Sequence, residues 1–395
     1  MKVPIARASL TAQEISSVLE PLNSGWLVQG PKVQEFEAKW SEFSQAPHSI
    51  AVTSCTSALH LSLAALGIGP GDEVIVPAFT WISTANVVEH LGATVVFADI
   101  DLETFNLDPN ELQNKLTSKT RAIIPVHLFG LAANMDPIMR VASENRLFVV
   151  EDAACGFGTT YRGKHVGTFG DAGCFSFHPR KAITTGEGGM IVTKEENLAV
   201  RLRRLRDHGA EVSDLQRHRG ARPDLLAEFP DAGYNQRMTD IQGALGSAQM
   251  DRASEILAER KRLAKRYDEA FRDLHWLRSP HTNDYSEHSY QSYPCLFLPE
   301  ECSKAFESKD SDLVVEINKK RNSWMDSLQI SGVSTRPATH AVHMLEYYRD
   351  KYSVRPEDHF SSYIADQCSI SLPLFHGMTE AEQDYVIHQV LSASF

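Results

Sequence analysis

The chain has 395 residues, of which 42% are hydrophobic and 23% are charged, and its formal net charge is −12. This length predicts two domains, the larger an α/β unit, and the acidic balance argues against a general affinity for nucleic acid or an anionic membrane. No apolar run is long enough for a transmembrane helix, and the six cysteines lack C-x-x-C spacing, so we expect a cytoplasmic protein without zinc or disulfides.

Short apolar runs alternate with helical patterns between residues 48 and 195. The predicted strands are rich in Val and Ile and nearly continuous, which is typical of parallel strands covered by helices on both faces. In chain order the elements are a strand at 49–54, a helix at 56–66, a strand at 72–77, a helix at 83–92, and strands at 93–100, 121–130 and 146–153. We therefore predict a parallel, doubly covered sheet.

Two further strands, at 173–177 and 189–193, flank a loop that is too short to contain a crossover helix. Parallel neighbours need such a crossover, so we expect a change of strand direction here, or pairing between strands that are not neighbours.

The pattern changes near residue 251, where a long and highly charged helix is predicted over 250–274. A strand-like run at 289–298 and a helix around 313–328 follow. A last helix begins at Thr379, which forms a T-x-x-E capping box with Glu382. We predict a large domain over residues 1–250 and a smaller α+β domain over residues 251–395.

A candidate phosphate site lies in "TSCTSA" (53–58), where a predicted strand meets the N-terminus of a helix. Free backbone N–H groups and the helix dipole favour an anion there, and the hydroxyls of Thr56 and Ser57 can add donors. Ordinary helix capping is the alternative role for these side chains. The chain has neither a Walker A sequence nor a G-x-G-x-x-G motif.

Three further side chains stand at predicted strand ends or in the loop between strands. Asp152 ends the strand at 146–153, where ligands of α/β sheets collect, although it could simply cap a turn. Trp81 also follows a strand, and packing is its ordinary role. Lys181 lies in the Thr- and Gly-rich loop "SFHPRKAITTGEGGM" (176–190). A phosphate cradle, a carboxylate, an aromatic plate and a lysine are together the parts of a pyridoxal phosphate site.

Long segments of the chain carry a family resemblance. They are "SGWLVQGPKVQEFE" (24–37), "TSCTSALHLSLAALGIGPGDEVIVPAFTW" (53–81), "PVHLFG" (125–130), "EDAACGFGT" (151–159), "GYNQRMTDIQGALG" (233–246) and "STRPATHAVH" (334–343), together with the lysine loop. With these motifs the chain resembles the DegT/DnrJ/EryC1/StrS sugar aminotransferases over almost its whole length. The resemblance implies an aspartate-aminotransferase-type fold with pyridoxal 5'-phosphate, a homodimer with two shared active sites, and residues 1–30 near the active site.

The resemblance also implies roles for individual residues. Lys181 matches the family's Schiff-base lysine, and Asp152 matches the carboxylate on the pyridine nitrogen. Cys155 stands three residues after Asp152, where family members often carry Gln or His near the ring hydroxyl. Trp81 matches the aromatic residue over the ring. Thr56, Ser57 and Ser176 match phosphate ligands of the same subunit, and Asn235 matches a phosphate ligand from the partner subunit.

Basic side chains are candidates for the path of an anionic substrate in an otherwise acidic chain. The candidates are His178, Arg180, Arg237, Arg336 and His340. A plain surface role is the alternative for Arg180 and Arg336, and Arg237 matches a family residue that helps to shape the shared site. His340 and His343 form an H-x-x-H pair without a third ligand at suitable spacing, so no metal site is predicted. In the dehydratase branch of the family a histidine replaces the lysine itself. Here Lys181 is present, which favours transamination.

The predicted function is amino transfer from an amino acid, L-glutamate by resemblance, to a nucleotide-linked 4-keto-6-deoxy or 3-keto sugar. Two alternatives stay open. One is a dehydratase or aromatic-amine synthase of the same fold, and the other is a regulator that binds pyridoxal phosphate without catalysis.

Overall fold

The computed structural model describes residues 1–212, 215 and 228–395. The strands are β1 (His48–Val52), β2 (Glu73–Pro77), β3 (Phe79–Thr80), β4 (Thr94–Ala98), β5 (Thr120–Ile123), β6 (Phe148–Asp152), β7 (Thr160–Tyr161), β8 (Lys164–His165), β9 (Ala172–Ser176), β10 (Gly189–Thr193), β11 (Leu277–Arg278), β12 (Ser286–Glu287), β13 (Tyr293–Phe297), β14 (His340–Ala341) and β15 (Ser369–Leu372).

The helices, again within the described ranges, alternate with these strands in the first half of the chain and dominate the second half. They are α1 (Ala12–Ser24), α2 (Pro31–Ser44), α3 (Cys55–Ala65), α4 (Ser83–His90), α5 (Leu112–Lys115), α6 (Met135–Asn145), α7 (Glu196–Arg206), α8 (Asp240–Met250), α9 (Ala253–Phe271), α10 (Pro299–Ser308), α11 (Ser311–Ile330), α12 (Glu346–Tyr352), α13 (Phe360–Cys368) and α14 (Glu380–Leu391).

The central sheet has seven strands in the order β1-β10-β9-β6-β5-β2-β4. All neighbouring pairs are parallel except those of β10, which runs antiparallel to both β1 and β9. The predicted parallel sheet is confirmed, and so is the predicted change of direction between 173–177 and 189–193. The loop after β9 returns the chain directly beside that strand.

Helices cover both faces of this sheet, which explains why its strands are apolar at successive positions. Val149 packs in a core with residues of α2 and α6, including Trp40 and Ile138. Its neighbour Val150 points to the opposite face and packs with residues of α3, including Leu59. Side chains alternate between faces along a strand, so burial on both faces requires an uninterrupted apolar run.

A three-stranded antiparallel sheet, β11-β13-β15, organises the C-terminal part. Its core includes side chains of α10, α11, α13 and α14, and residues Val3 and Phe79 from the N-terminal part also join it. The predicted division at residue 250 stays a prediction. No helix of the described ranges is long and apolar enough to cross a membrane.

Two predicted elements differ from the observed ones in extent. The predicted helix 250–274 is observed as α9, which begins at Ala253 and ends at Phe271, since Met250 is the last residue of α8. The predicted strand 121–130 ends at Ile123. Pro125 follows, and a proline has no N–H to donate to a strand ladder. The T-x-x-E capping box of Thr379 and Glu382 is present as predicted.

Candidate active site

The candidate site lies at one edge of the central sheet. Strands β1, β6 and β9 run in the same direction, and their carboxyl ends therefore meet at this edge. Val52 pairs with Gly189, and Gly189 pairs with Ser176, so the ends of β1, β10 and β9 are in register. This topology brings the three predicted segments around residues 53–57, 152–155 and 176–181 together, as expected for the ligand edge of an α/β sheet.

Asp152 ends β6 with its carboxylate buried; the residue is 4% exposed. Its Oδ2 accepts a hydrogen bond from the Thr84 hydroxyl at 2.8 Å, and its Oδ1 accepts one from the Ala154 N–H at 3.1 Å. The Thr80 and Thr84 hydroxyls are 3.1 Å apart. Burial raises the pKa of Asp152, and Thr84, Ala154 and the charge of Lys181 partly offset this rise. Each carboxylate oxygen retains a lone pair for a further donor.

Lys181 lies in the loop between β9 and β10, where its N–H donates to the carbonyl of His178 at 2.8 Å. Its Nζ is 3.2 Å from the Cys155 Sγ. Burial disfavours the ammonium, but Cys155, Cys55 and Asp152 favour it, and the pKa of Lys181 is raised above its ordinary value. The charge of Lys181 lowers the pKa of Asp152, and the charge of Asp152 raises the pKa of Lys181.

The N-terminus of α3 forms another wall of the site. Ser54 caps this helix by accepting a hydrogen bond from the Ser57 N–H at 3.1 Å, and the Ser57 hydroxyl is 2.9 Å from that of Thr53. Thr56 donates to Ser83 at 3.0 Å. These contacts fulfil the capping alternative, and they also arrange hydroxyls around a helix N-terminus that can bind an anion.

Gly189 brings the strand end of the lysine loop against this helix. A Cβ at Gly189 would lie 2.5 Å from the carbonyl carbon of Ser54 and 2.7 Å from the N atom of Cys55. Any larger residue would push β10 away from α3. Because Gly189 pairs with Ser176, this close approach also places Ser176 beside the hydroxyl-lined helix end.

Trp81 and His340 form the outer side of the site. Their rings are 5.7 Å apart, and the two-residue pairing of β3 with β14 fixes them next to each other. The Trp81 residue is 57% exposed, so its indole is available to a planar ligand. His340 Nδ1 lies 3.9 Å from the Asp366 carboxylate. His343 is fully buried elsewhere, against His359.

The other predicted substrate residues surround this region less tightly. Arg180 lines a polar cavity of about 10 Å³ together with Lys181. His178 is 3.9 Å from the Glu187 carboxylate, and its backbone N–H donates to the Ser176 hydroxyl at 3.4 Å. The backbone of Arg237 pairs with that of Val52 at the end of β1.

Three of the predicted residues are exposed or have a side chain that bonds to another residue. The Arg237 side chain forms an ion pair with Asp207 at 2.7 Å. Asn235 is exposed and its backbone also pairs with Asp207. Arg336 is exposed, with its backbone bonded to Ser371.

Sequence reasoning missed Thr80 and Thr84, which orient Asp152 from a segment 68 positions earlier in the chain. Their only sequence signal is position, since both follow β2 at the ligand edge, close to Trp81. The Thr84 N–H donates to the carbonyl of Trp81 at 3.1 Å, so one turn joins the carboxylate's partner to the exposed indole.

The model of the DegT/DnrJ/EryC1/StrS aminotransferase family matches residues 8–391. The chain belongs to this family. Two relatives are each 38% identical to this family member over 98% of its length and 96% of theirs. They are the spore coat polysaccharide biosynthesis protein SpsC of Bacillus subtilis and the GDP-perosamine synthase of Caulobacter vibrioides.

A solved structure of the protein Spr1654 from Streptococcus pneumoniae, in its PLP-form, matches this DegT/DnrJ/EryC1/StrS aminotransferase with a TM-score of 0.87 and 29% identity, covering 98% of this chain and 97% of the other. The same protein is also known in a PMP-form, with a TM-score of 0.86. The comparisons confirm the predicted family, the fold, the aminotransferase activity and the pyridoxal phosphate cofactor.

The residues of this aminotransferase fit that cofactor chemically. Lys181 would supply an amine for its aldehyde, and Asp152 would supply a buried carboxylate for its ring nitrogen. The N-terminus of α3 supplies free N–H groups for a phosphate, and the exposed indole of Trp81 supplies a flat apolar surface.

Proposed function

We propose that the chain transfers an amino group from an amino acid, L-glutamate, to a nucleotide-linked ketosugar, with pyridoxal phosphate as the carrier of nitrogen. The observation that carries this proposal is the position of the buried Asp152 carboxylate at the carboxyl end of β6, next to strand β9, whose following loop carries Lys181. When bound, the cofactor supplies the electron sink that the exchange of an amine for a carbonyl requires.

Lys181 has two tasks in this proposal. Its Nζ would hold the cofactor covalently through the cofactor's aldehyde, at the position that the amino donor would take in its turn. Once free, the same nitrogen takes the proton from the donor's Cα and returns it on the other side of the exchange, acting as base and then as acid.

Asp152 would hold the ring nitrogen of the cofactor and keep it protonated. A buried carboxylate is a strong partner for a positively charged N–H, and this pairing would offset the burial that raises the pKa of Asp152. Thr84 and the Ala154 N–H hold the two carboxylate oxygens in fixed directions. Cys155 lies against Lys181 and would border the same ring.

The phosphate would bind at the N-terminus of α3. Thr56, Ser57 and Ser176 supply hydroxyls there, and the family resemblance assigns Asn235 of the second subunit to the same phosphate. We therefore propose a homodimer with shared active sites. Asn235 is exposed in the single chain, as a residue that reaches into a partner would be.

The acceptor is a nucleotide-linked 4-keto-6-deoxy sugar or a 3-keto sugar. A relative that is 38% identical is a GDP-perosamine synthase, and its name includes a nucleoside diphosphate. The chain is acidic, so local cations must bind such a diphosphate. The cationic candidates around the site are His178, Arg180, Arg237, Arg336 and His340.

The test incubates the purified protein with pyridoxal phosphate, ¹⁵N-labelled L-glutamate and a panel of GDP-, UDP- and dTDP-linked ketosugars. Mass spectrometry of the products is expected to show one ketosugar in which a labelled amino group replaces the carbonyl oxygen. Loss of a hydroxyl without gain of nitrogen would indicate a dehydratase instead. Borohydride reduction followed by peptide mapping is expected to place the cofactor on Lys181, and Lys181→Ala is the control for both readouts.

A further inference from the structure

The loop that carries Lys181 forms few hydrogen bonds with its own backbone. Within this loop Lys181 bonds to His178, and Thr185 bonds back to Phe177. The peptide groups on either side of Lys181, the carbonyl of Arg180 and the N–H of Ala182, instead bond to a side chain from a distant part of the chain.

That side chain is Gln291. Its Oε1 accepts a hydrogen bond from the Ala182 N–H at 2.9 Å, and its Nε2 donates to the Arg180 carbonyl at 2.8 Å. An amide is the side chain suited to this task, because it carries an acceptor and a donor on one planar group. Gln291 is 7% exposed, so water cannot easily replace either bond.

The backbone around Gln291 is itself fixed from several sides. Its carbonyl accepts a hydrogen bond from Arg260 at 2.6 Å, and the flanking Ser289 N–H donates to the carbonyl of Gly130 at 2.9 Å. Gly130 has φ +98°, and a Cβ there would lie 2.8 Å from the Gln291 nitrogen, so only glycine allows this close approach. These contacts fix the backbone of Gln291 independently of the hydrogen bonds that its side-chain amide forms with the lysine loop.

A second buried glutamine extends the same support. Gln249 is 2% exposed, and its Oε1 accepts a hydrogen bond from the Thr184 N–H at 2.7 Å. Its Nε2 lies 3.3 Å from the carboxylate of Glu14 in α1. Three peptide groups of the loop thus bond to glutamine side chains from α8 and from the segment before β13.

From these contacts we infer that Gln291 is a positioning residue for the reaction of Lys181: it fixes both peptide groups that flank the lysine, so that the freed amine returns to the same place in each turnover. This inference rests on the proposed role of Lys181. A fixed amine has a high effective concentration toward the cofactor's aldehyde, and a displacement of even 1 Å lowers it strongly.

The test compares Gln291→Met with the matched control Gln383→Met. Gln383 is also buried, and its side chain donates to the carbonyl of Leu263 in α9 at 2.7 Å, whereas Gln291 donates to the lysine loop. Both variants replace an amide by an apolar group of similar length. Dissociation constants for pyridoxal phosphate are measured with apoprotein, once with Lys181 present and once in a Lys181→Ala background.

Gln291→Met is expected to weaken cofactor binding about tenfold when Lys181 is present, because two buried peptide groups lose their partner and the amine shifts. In the Lys181→Ala background the same substitution is expected to leave the dissociation constant unchanged within about twofold. Equal weakening in both backgrounds would overturn the inference, because Gln291 would then support the pocket rather than the lysine. Unchanged binding in both would overturn it as well.

Should Gln291→Met fail to fold, Gln291→Asn replaces it, since the shorter amide cannot reach both peptide groups. The fraction of cofactor that borohydride fixes in a short pulse is then expected to fall relative to wild type and Gln383→Met, and an unchanged fraction would overturn the inference. The proposed role of Lys181 has its own outcome: wild type and Gln383→Met must both carry the reduced cofactor on Lys181. If these two proteins carry the reduced cofactor on another residue, the proposed role of Lys181 is wrong, whatever the result for Gln291.

Discussion

Replacing Thr84 by Val removes one hydroxyl and keeps the shape of the side chain. Thr84 donates to Asp152 Oδ2 at 2.8 Å, inside a site where the aspartate is almost fully buried. The valine methyl cannot donate, so the carboxylate loses one of its two hydrogen bonds from the protein. The pKa of Asp152, which burial already raises, is expected to rise further, since Thr84 is the first of the groups that lower it.

The expected magnitude follows from the energy of that bond. A hydrogen bond to a charged group contributes about 1.5–3 kcal/mol, which corresponds to a factor of about ten to one hundred in rate if the whole of it is lost in the transition state. Under the proposed function, the effect would belong to the first half of the reaction, in which Asp152 would hold the proton on the cofactor's ring nitrogen while the donor's Cα loses its own proton.

Stopped-flow spectroscopy with L-glutamate and no sugar measures this step as the decay of the visible band of the holoenzyme. Thr84→Val is expected to slow the decay about tenfold or more, while Thr84→Ser, which keeps the hydroxyl, is expected to retain most of the wild-type rate. In an Asp152→Asn background Thr84→Val is expected to add little, because Thr84 acts through Asp152. A wild-type rate in Thr84→Val would refute the argument, and so would full additivity with Asp152→Asn.

Subunit mixing tests the shared site: Lys181→Ala and Asn235→Ala chains, each inactive at limiting cofactor, are expected to regain activity after verified exchange, because a mixed dimer contains one site with both residues intact. No recovery would place Asn235 outside the partner's site. Burial lowers the pKa of His343 in the folded chain to about 4, whereas the pKa of an unfolded histidine is near 6.5. Between these pH values the unfolded chain binds a proton that the folded chain does not, so the free energy of unfolding falls as the pH is lowered. His343→Leu is expected to reduce the loss of unfolding free energy between pH 7 and pH 5 by about 2 kcal/mol in urea titrations, and an unchanged loss would contradict this. Arg252 lies 2.9 Å from the fully buried Glu14 carboxylate, so Arg252→Met is expected to cost about 3 kcal/mol in the same assay. Adding Glu14→Gln should recover much of the lost free energy of unfolding, because it removes the buried carboxylate that Arg252→Met leaves without its ion-pair partner. A further loss in the double variant would contradict this explanation.

Much of the site could be predicted because its parts come from motifs that are local in sequence. Lys181, Asp152 and Ser57 each stand at a strand end or helix start, and the βαβ rhythm alone indicates that these points meet at one sheet edge. The reversal of β10 could also be predicted, since the loop around Lys181 is too short for a crossover.

The residues that support these side chains could not be predicted in the same way. Thr84 belongs to a segment that reads simply as the start of a helix, and Gln291 precedes a strand of the other sheet. Their partners lie 68 and 109 positions away along the chain. Hydrogen bonds at such separation depend on tertiary packing, which leaves no periodic pattern in the sequence.

The pairing of β3 with β14 has a consequence for how such an enzyme can change its acceptor. Trp81 and His340 meet next to only two residue pairs, between segments that are far apart along the chain. The two residues of the proposed catalysis lie elsewhere, Asp152 at the end of β6 and Lys181 in the loop after β9. Under the proposed function, substitutions of the half-exposed His340 ring would change the surface next to Trp81 that a sugar would meet. The buried neighbours Ala341 and Val342 must stay as they are, because they bond to the segment that also carries Thr80.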